Sequence, residues 1–283
     1  MTIQLPPHPD PEQGISPRGW RAQLCYQLRL FFIALQFFTR LPTPRWVGFD
    51  AVWLRHASRY FPAVGVVVAL LCSLVYSLLA WCLPQLLAVL LATAAGIYIT
   101  GALHEDGFAD VCDGFGGGVQ PQRVMEIMRD SRVGAFGAIG IVMLLAIKIA
   151  CLACLPTAQV APALLLAHPL SRCLASALIW RMKYVREEGK AKPLAQQMNG
   201  LEFAIAALTA VVSVIVCAGL GWLSLSSILL ALLLGLAATF FLVRLFRRRI
   251  GGYTGDCLGA VQQLSEVAIY LGLLAKVSSA VYS

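Results

Sequence analysis

The chain has 283 residues, of which 59% are hydrophobic and only 13% charged, whereas soluble domains carry about 25% charged residues. That excludes a water-soluble enzyme and makes the membrane span, about 20 apolar residues long, the natural unit of counting. The formal net charge of +8 sits in short loops between apolar runs, where membrane topology places it, so it is no sign of nucleic-acid binding.

Residues 1–21 are rich in proline and polar groups and lack an apolar segment. They read as a disordered cytoplasmic tail ahead of a single integral membrane domain over 22–283. The segment 22–41 is apolar but carries Arg29 and several glutamines, so it is expected to lie at the interface or pack against the bundle. Six strong spans follow, at 60–83, 85–103, 133–154, 160–180, 203–221 and 223–243, each long enough to cross about 30 Å of hydrocarbon as a helix. The last segment, 258–282, carries Glu266 and Lys276 and gets the same expectation as 22–41. The predicted fold is an all-α polytopic membrane helix bundle of about six spans with one or two further helices.

Orientation follows from the loops. The connections at 84–85, 155–159 and near Trp222 hold no charged residue. The others hold Arg123, Arg129 and Arg132, then Arg181, Lys183, Arg186, Lys190 and Lys192, then Arg244, Arg247, Arg248 and Arg249. The positive-inside rule then places the N-terminus and every acid-bearing loop in the cytoplasm. The nine cysteines are scattered, mostly within apolar runs, and the one C-x-x-C, Cys151 and Cys154, lies inside a span with no second pair, so neither a disulfide framework nor a thiolate metal site is expected.

The chemistry concentrates in G-A-L-H-E-D-G-F-A-D-V-C-D-G-F-G-G-G, residues 101–118, directly after the second span. If that helix continues, Asp106, Asp110 and Asp113 stand at i, i+4 and i+7 on one face. Such carboxylates repel one another and call for a cation. Hard oxygen ligands in this density suit Mg²⁺ or Mn²⁺, while Cys112 and His104 supply only one soft or imidazole ligand each. The glycines at 107, 114 and 116–118 cost helix stability, which a backbone approached closely by a ligand would explain.

Next comes R-D-S-R-V-G-A-F-G, residues 129–137, at the entrance of the third span. Arg129 and Arg132 offer bidentate forks to phosphate, and the N-terminus of the helix starting there favours an anion. Within the spans, His168, Arg172 and Lys148 are polar residues that cost about 2.5 kcal/mol or more unless partnered. Arg172 is the best candidate for function, because Pro169 can break its helix and admit water. His168 reads as a hydrogen-bonded packing residue, and Lys148 as one that snorkels or pairs. Last, residues 251–266 form a glycine-rich loop with Asp256 entering a helix, a weak phosphate or metal signal on its own.

With these motifs in order the chain closely resembles the cobalamin synthase family, the adenosylcobinamide-GDP ribazoletransferases. The resemblance runs from F-F-T-R-L-P-T-P at 37–44, through 100–115 and M-R-D-S-R-V-G-A-F-G at 128–137, to T-G-D-C-L-G-A-V-Q-Q-L-S-E at 254–266. It implies transfer between adenosylcobinamide-GDP and α-ribazole or its 5′-phosphate, with release of GMP, at the cytoplasmic face of a bacterial inner membrane. It implies that Glu105, Asp106, Asp110 and Asp113 hold Mg²⁺, and that one carboxylate or His104 takes the proton of the attacking hydroxyl. Arg129 and Arg132 would neutralise phosphate, Asp130 would orient one of them, Asp256 would complete the metal shell or bind substrate, and Arg40 would meet the nucleotide or the α-ribazole phosphate. Partners beyond the two substrates and the bilayer would be further copies of the chain or other enzymes of the same pathway. The rival readings are a CDP-alcohol phosphotransferase, whose acid spacing differs, and a divalent cation transporter, which would place carboxylates at the middle of its spans.

Overall fold

The computed structural model describes residues 19–48, 51–186 and 198–281, so the tail predicted over 1–21 lies almost wholly outside the described residues, as do Lys190 and Lys192. Every regular element among the described residues is helical, and the lone β-bridge joins Tyr184 to Tyr253. Six helices are long and apolar enough to cross a membrane.

Helix α1 (Trp20–Phe38) is not among the six, in agreement with its polar content. Its Arg29 guanidinium lies 4.9 Å from the ring centre of Trp53 and 5.8 Å from that of Trp46, a cation sheltered by aromatic faces at the edge of the bundle. Helix α2 (Ala51–Ala57) and a 3₁₀ turn (Ser58–Tyr60) run into α3 (Phe61–Leu79), and Trp53–Leu79 forms the first candidate span.

Helix α4 (Gln85–Thr100) is 16 residues long and covers only about 24 Å as a helix. The helix does not run on through the acidic motif. Gly101 (φ 66°) and Ala102 (φ 59°) are both left-handed, and α5 (Leu103–Gly117) leaves at 90° to α4. Two successive left-handed residues end the hydrogen-bond ladder and turn the chain sharply, and the second of them carries a Cβ that such a conformation penalises. If the bent pair counts as one broken span, the candidate spans number seven.

Helix α6 (Pro121–Ile127) leads to α7 (Ala135–Cys154) and α8 (Thr157–Arg181). Gln85 ties the two charge-free turns together, donating to the Leu155 carbonyl at 2.6 Å and accepting from the Thr157 hydroxyl at 2.7 Å. Pro162 and Pro169 lie inside α8 without ending it, so Pro169 opens no break beside Arg172 as the sequence suggested. Helix α9 (Gly200–Gly219) starts with a capping box of Asn199 and Glu202, and α10 (Leu225–Ile250) with Ser224.

Helix α11 (Gly255–Val281) departs most from expectation. It sits at the centre of the bundle, packed against α10, α5, α8 and α7, and its apolar stretch qualifies as a span. Helices α8 and α11 bury 72% of their apolar windows and α7, α9 and α10 only 28%, which separates the two inner helices from the outer ones. The outer helices carry exposed Leu74, Leu86, Phe240 and Phe241, a surface suited to lipid. Burying α11 buries Glu266, which meets Lys148 at 2.5 Å, His168 at 3.5 Å and the Tyr270 hydroxyl at 3.1 Å. Glu266, Lys148 and His168, ionisable residues of three different helices, thus meet one another inside the bundle.

Candidate active site

Helix α5 lies against α7 and α11. Its contact with α11 is backbone to backbone. A Cβ at Gly107 would stand 3.0 Å from the Asp256 Cα, and one at Gly259 would stand 2.9 Å from the His104 carbonyl oxygen. Gly107 thus serves close helix packing rather than the approach of a ligand, and the packing brings the start of α11, with Asp256, up to Asp106 and Asp110.

The four carboxylates predicted to share a metal do not share one place. Glu105 is buried on the other side of α5, where Oε1 accepts from Gln263 at 2.8 Å. Asp113 caps α7, accepting from the Gly134 N–H at 2.7 Å and the Gly137 N–H at 2.8 Å. Both of its oxygens are engaged, and the helix N-terminus expected to bind phosphate already holds this carboxylate. Asp106 and Asp110 remain, joined from α11 by Asp256. Among the described residues no group of three or more His, Cys, Asp or Glu side chains is gathered tightly enough to hold a metal unaided. The carboxyl of Asp110 is pushed up to about 7, first by burial and then by the like charges of Asp256 and Asp106, with Arg186 opposing. The residues that could hold a cation are therefore Asp106 and Asp110 with Asp256 beside them.

Arg186 went unrecognised in the sequence, where it reads as one more inside-marking basic residue. It meets Asp256 at 3.3 Å and donates to the Met128 carbonyl at 3.1 Å. The Thr254 hydroxyl donates to the same Asp256 oxygen at 3.3 Å. Arg249 donates to the Phe115 carbonyl at 3.2 Å and to that of Gly118, so a cation closes the C-terminus of α5. Nothing in the residue types marks Arg186 or Arg249 out, since the pairing depends on α11 folding back across α5.

Arg129 and Arg132 stand exposed on the connection between α6 and α7. Asp130 holds Arg132 in a fork, with Nη2 at 2.6 Å and Nε at 3.0 Å, and the Asp130 carboxyl is pushed down to about 2 by those hydrogen bonds. Arg40 is exposed at the α4–α5 corner, its guanidinium 5.4 Å from the ring centre of Tyr98. His104 is buried and stacked on Phe38 with ring centres 5.8 Å apart. Arg172 is buried, and its Nη1 donates to the His168 carbonyl at 3.1 Å.

Asp106, Asp256, Arg186, His104 and Arg172 line one cleft with a volume of about 250 Å³, whose lining also includes Phe37, Phe38 and Phe61. Glu105, Asp113, Arg129, Arg132, Asp130 and Arg40 do not line it, and neither does Asp110, which stands behind the lining within the electrostatic reach of Asp106 and Asp256. A cleft that is part acidic and part aromatic offers both charged and apolar contacts to a ligand.

The fold is that of a polytopic helical membrane protein, with an acidic cleft between α5 and α11. The chain belongs to the cobalamin-5-phosphate synthase family, whose model matches residues 30–274. It is 45% identical over 267 residues to an adenosylcobinamide-GDP ribazoletransferase of Shewanella frigidimarina, covering 88% of this chain and 95% of that protein. It is 45% identical over 261 residues to the one of Leptothrix cholodnii, covering 90% and 98%. Against that of Vibrio cholerae the identity is 40% over 261 residues, covering 90% and 96%. No solved structure matches the chain.

Proposed function

We propose that this chain joins adenosylcobinamide-GDP to α-ribazole or its 5′-phosphate, giving adenosylcobalamin or its 5′-phosphate and releasing GMP. Membership of the family over residues 30–274 carries this reading, and the cleft supports it. In the proposed step the 3′-hydroxyl of the riboside attacks the cobinamide-side phosphorus. The new P–O bond forms as the bond to GMP breaks, and the hydroxyl proton passes to a carboxylate of the cluster. Such a transfer needs mainly positioning and neutralisation of charge.

Asp106 and Asp110 would hold Mg²⁺, with Asp256 adjacent. The fit rests on the donor set: hard oxygens, too few to fill a shell, leaving positions for water and substrate phosphate. Bound there, the ion would neutralise the diphosphate and stabilise the leaving GMP. Arg186 fixes Asp256 and carries a positive charge to the rim of the same cleft, where a phosphate would be drawn. We place the cleft on the cytoplasmic side of the inner membrane, because the charge-free turns joined by Gln85 lie at one end and the arginine-bearing loops belong to the other.

The test is GMP release by the purified protein in detergent, given both substrates and Mg²⁺, beside an Asp110→Asn variant. Release that requires both substrates and metal, and that falls at least about a hundredfold in the variant, is the expected outcome. A folded wild-type protein that releases no GMP would end the proposal.

A further inference from the structure

The residues that line the cleft fall into two chemically different groups. Asp106, Asp256 and Arg186 make up one. Phe37, Phe38, Phe61, Leu103 and Leu258 form the other, with Phe38 and Phe61 in edge contact, ring centres 4.1 Å apart. Arg172 and Gln262 also line the cleft, only 4% and 1% exposed, and each keeps one atom without a protein partner: Nε of Arg172, a donor, and Oε1 of Gln262, an acceptor. Buried polar atoms are rarely left so, and both belong to residues of this lining.

The two substrates carry different rings. The donor's guanine presents two donor positions and an acceptor along one edge, and an apolar wall would leave them all unpaired. The base of α-ribazole is a flat bicyclic aromatic with an apolar, methyl-bearing edge, which loses nothing against phenylalanine and leucine. We infer that the wall of Phe37, Phe38, Phe61, Leu103 and Leu258 is the base subsite of the acceptor riboside. Its sugar lies over Arg172 and Gln262, and its attacking hydroxyl reaches the acids. A ribose hydroxyl is both donor and acceptor, so the sugar's hydroxyls suit an unpartnered donor and an unpartnered acceptor alike. This subsite rests on the transferase reading and adds to it the orientation of the acceptor and the origin of base selectivity.

The experiment is steady-state kinetics of GMP release by wild type and Phe37→Ala, with each substrate varied in turn. Phe37 is half-buried, so its truncation leaves the core intact. Loss of a stacking ring raises the KM for α-ribazole phosphate about tenfold and leaves the KM for adenosylcobinamide-GDP unmoved. Phe37→Asn, which puts an amide in the wall, narrows the preference for a benzimidazole riboside over a purine riboside of the same sugar configuration. A rise in the donor's KM instead would assign the wall to guanine or the corrin and overturn the inference, as would a base preference unchanged in both variants. Turnover by the wild type separates these outcomes from failure of the transferase reading itself. Binding of α-ribazole to Phe37→Trp, followed by tryptophan fluorescence, checks the subsite without turnover.

Discussion

Asp113 tests the division of labour among the four acids of α5. Its two oxygens receive the N–H groups of Gly134 and Gly137 at the first turn of α7. In Asp113→Ala the Gly137 N–H, in a buried residue, loses its partner at a cost of about 1–3 kcal/mol. The Gly134 N–H belongs to an exposed residue and can turn to water. Removing a negative charge from the helix N-terminus adds about 0.3–1 kcal/mol. The sum, about 1.3–4 kcal/mol, corresponds to a fall on the order of 3–15 °C in apparent Tm at about 2–4 °C per kcal/mol for a large domain. Asp113→Asn keeps one acceptor and falls by roughly half as much. Asp110→Asn, by contrast, removes a charge repelled by Asp106 and Asp256, so its Tm holds or rises while turnover is lost. Melting of the three variants in one detergent, followed by tryptophan fluorescence, gives the comparison. An Asp113→Ala protein that melts with the wild type yet loses Mg²⁺ affinity would refute the assignment and return Asp113 to the metal.

Three other outcomes are expected. With the Asp110 carboxyl raised from the usual carboxylate range to about 7, the folded protein keeps a proton that the unfolded chain releases at lower pH. The group's contribution to stability in the absence of metal therefore falls as pH rises from about 4 to about 7. Cation binding must displace that proton, so Mg²⁺ affinity measured by calorimetry weakens below about pH 7, and Asp110→Asn removes the dependence. Lys148→Met leaves Glu266 short of its closest cation and costs about 3–5 kcal/mol, seen as loss of folded yield, while Lys148→Met with Glu266→Gln recovers much of it. Ala102→Gly relieves a left-handed alanine and raises stability by about 1 kcal/mol, read as a higher Tm.

The helical class and most of the spans were legible because apolar runs of span length have few other uses. The acidic motif was legible as a place of chemistry, and three of its residues keep the i, i+4, i+7 spacing on α5. Their separate fates were not. Helical spacing fixes a face but not the neighbour that meets it, so the capping of α7 by Asp113 and the turning of Glu105 toward Gln263 became visible only once α7 and α11 were placed. The bend at Gly101 and Ala102 was hidden because the apolar run passes into the motif without proline, and one glycine is a weak signal of a corner. The central place of α11 was obscured by Glu266 and Lys276, which lower its apolar character. The missing fact was that Lys148, on a helix far away in sequence, supplies the opposite charge. Arg186 was passed over for a related reason: topology alone accounts for an arginine in a loop, and its pairing with Asp256 depends on tertiary structure.

The place of α11 also bears on how the molecule comes to be made. It leaves the ribosome after every other described helix, yet it fills the middle of the bundle and supplies Asp256 and Glu266. Until it arrives, Lys148 lacks the Glu266 carboxylate it meets, and α5 has no wall across from its acids. The earlier helices then lack one of the two inner helices, which leaves a gap beside α8. Closure of that gap both neutralises the interior and assembles the cleft, so a chain that stalls before α11 lacks the substrate site as well as its core.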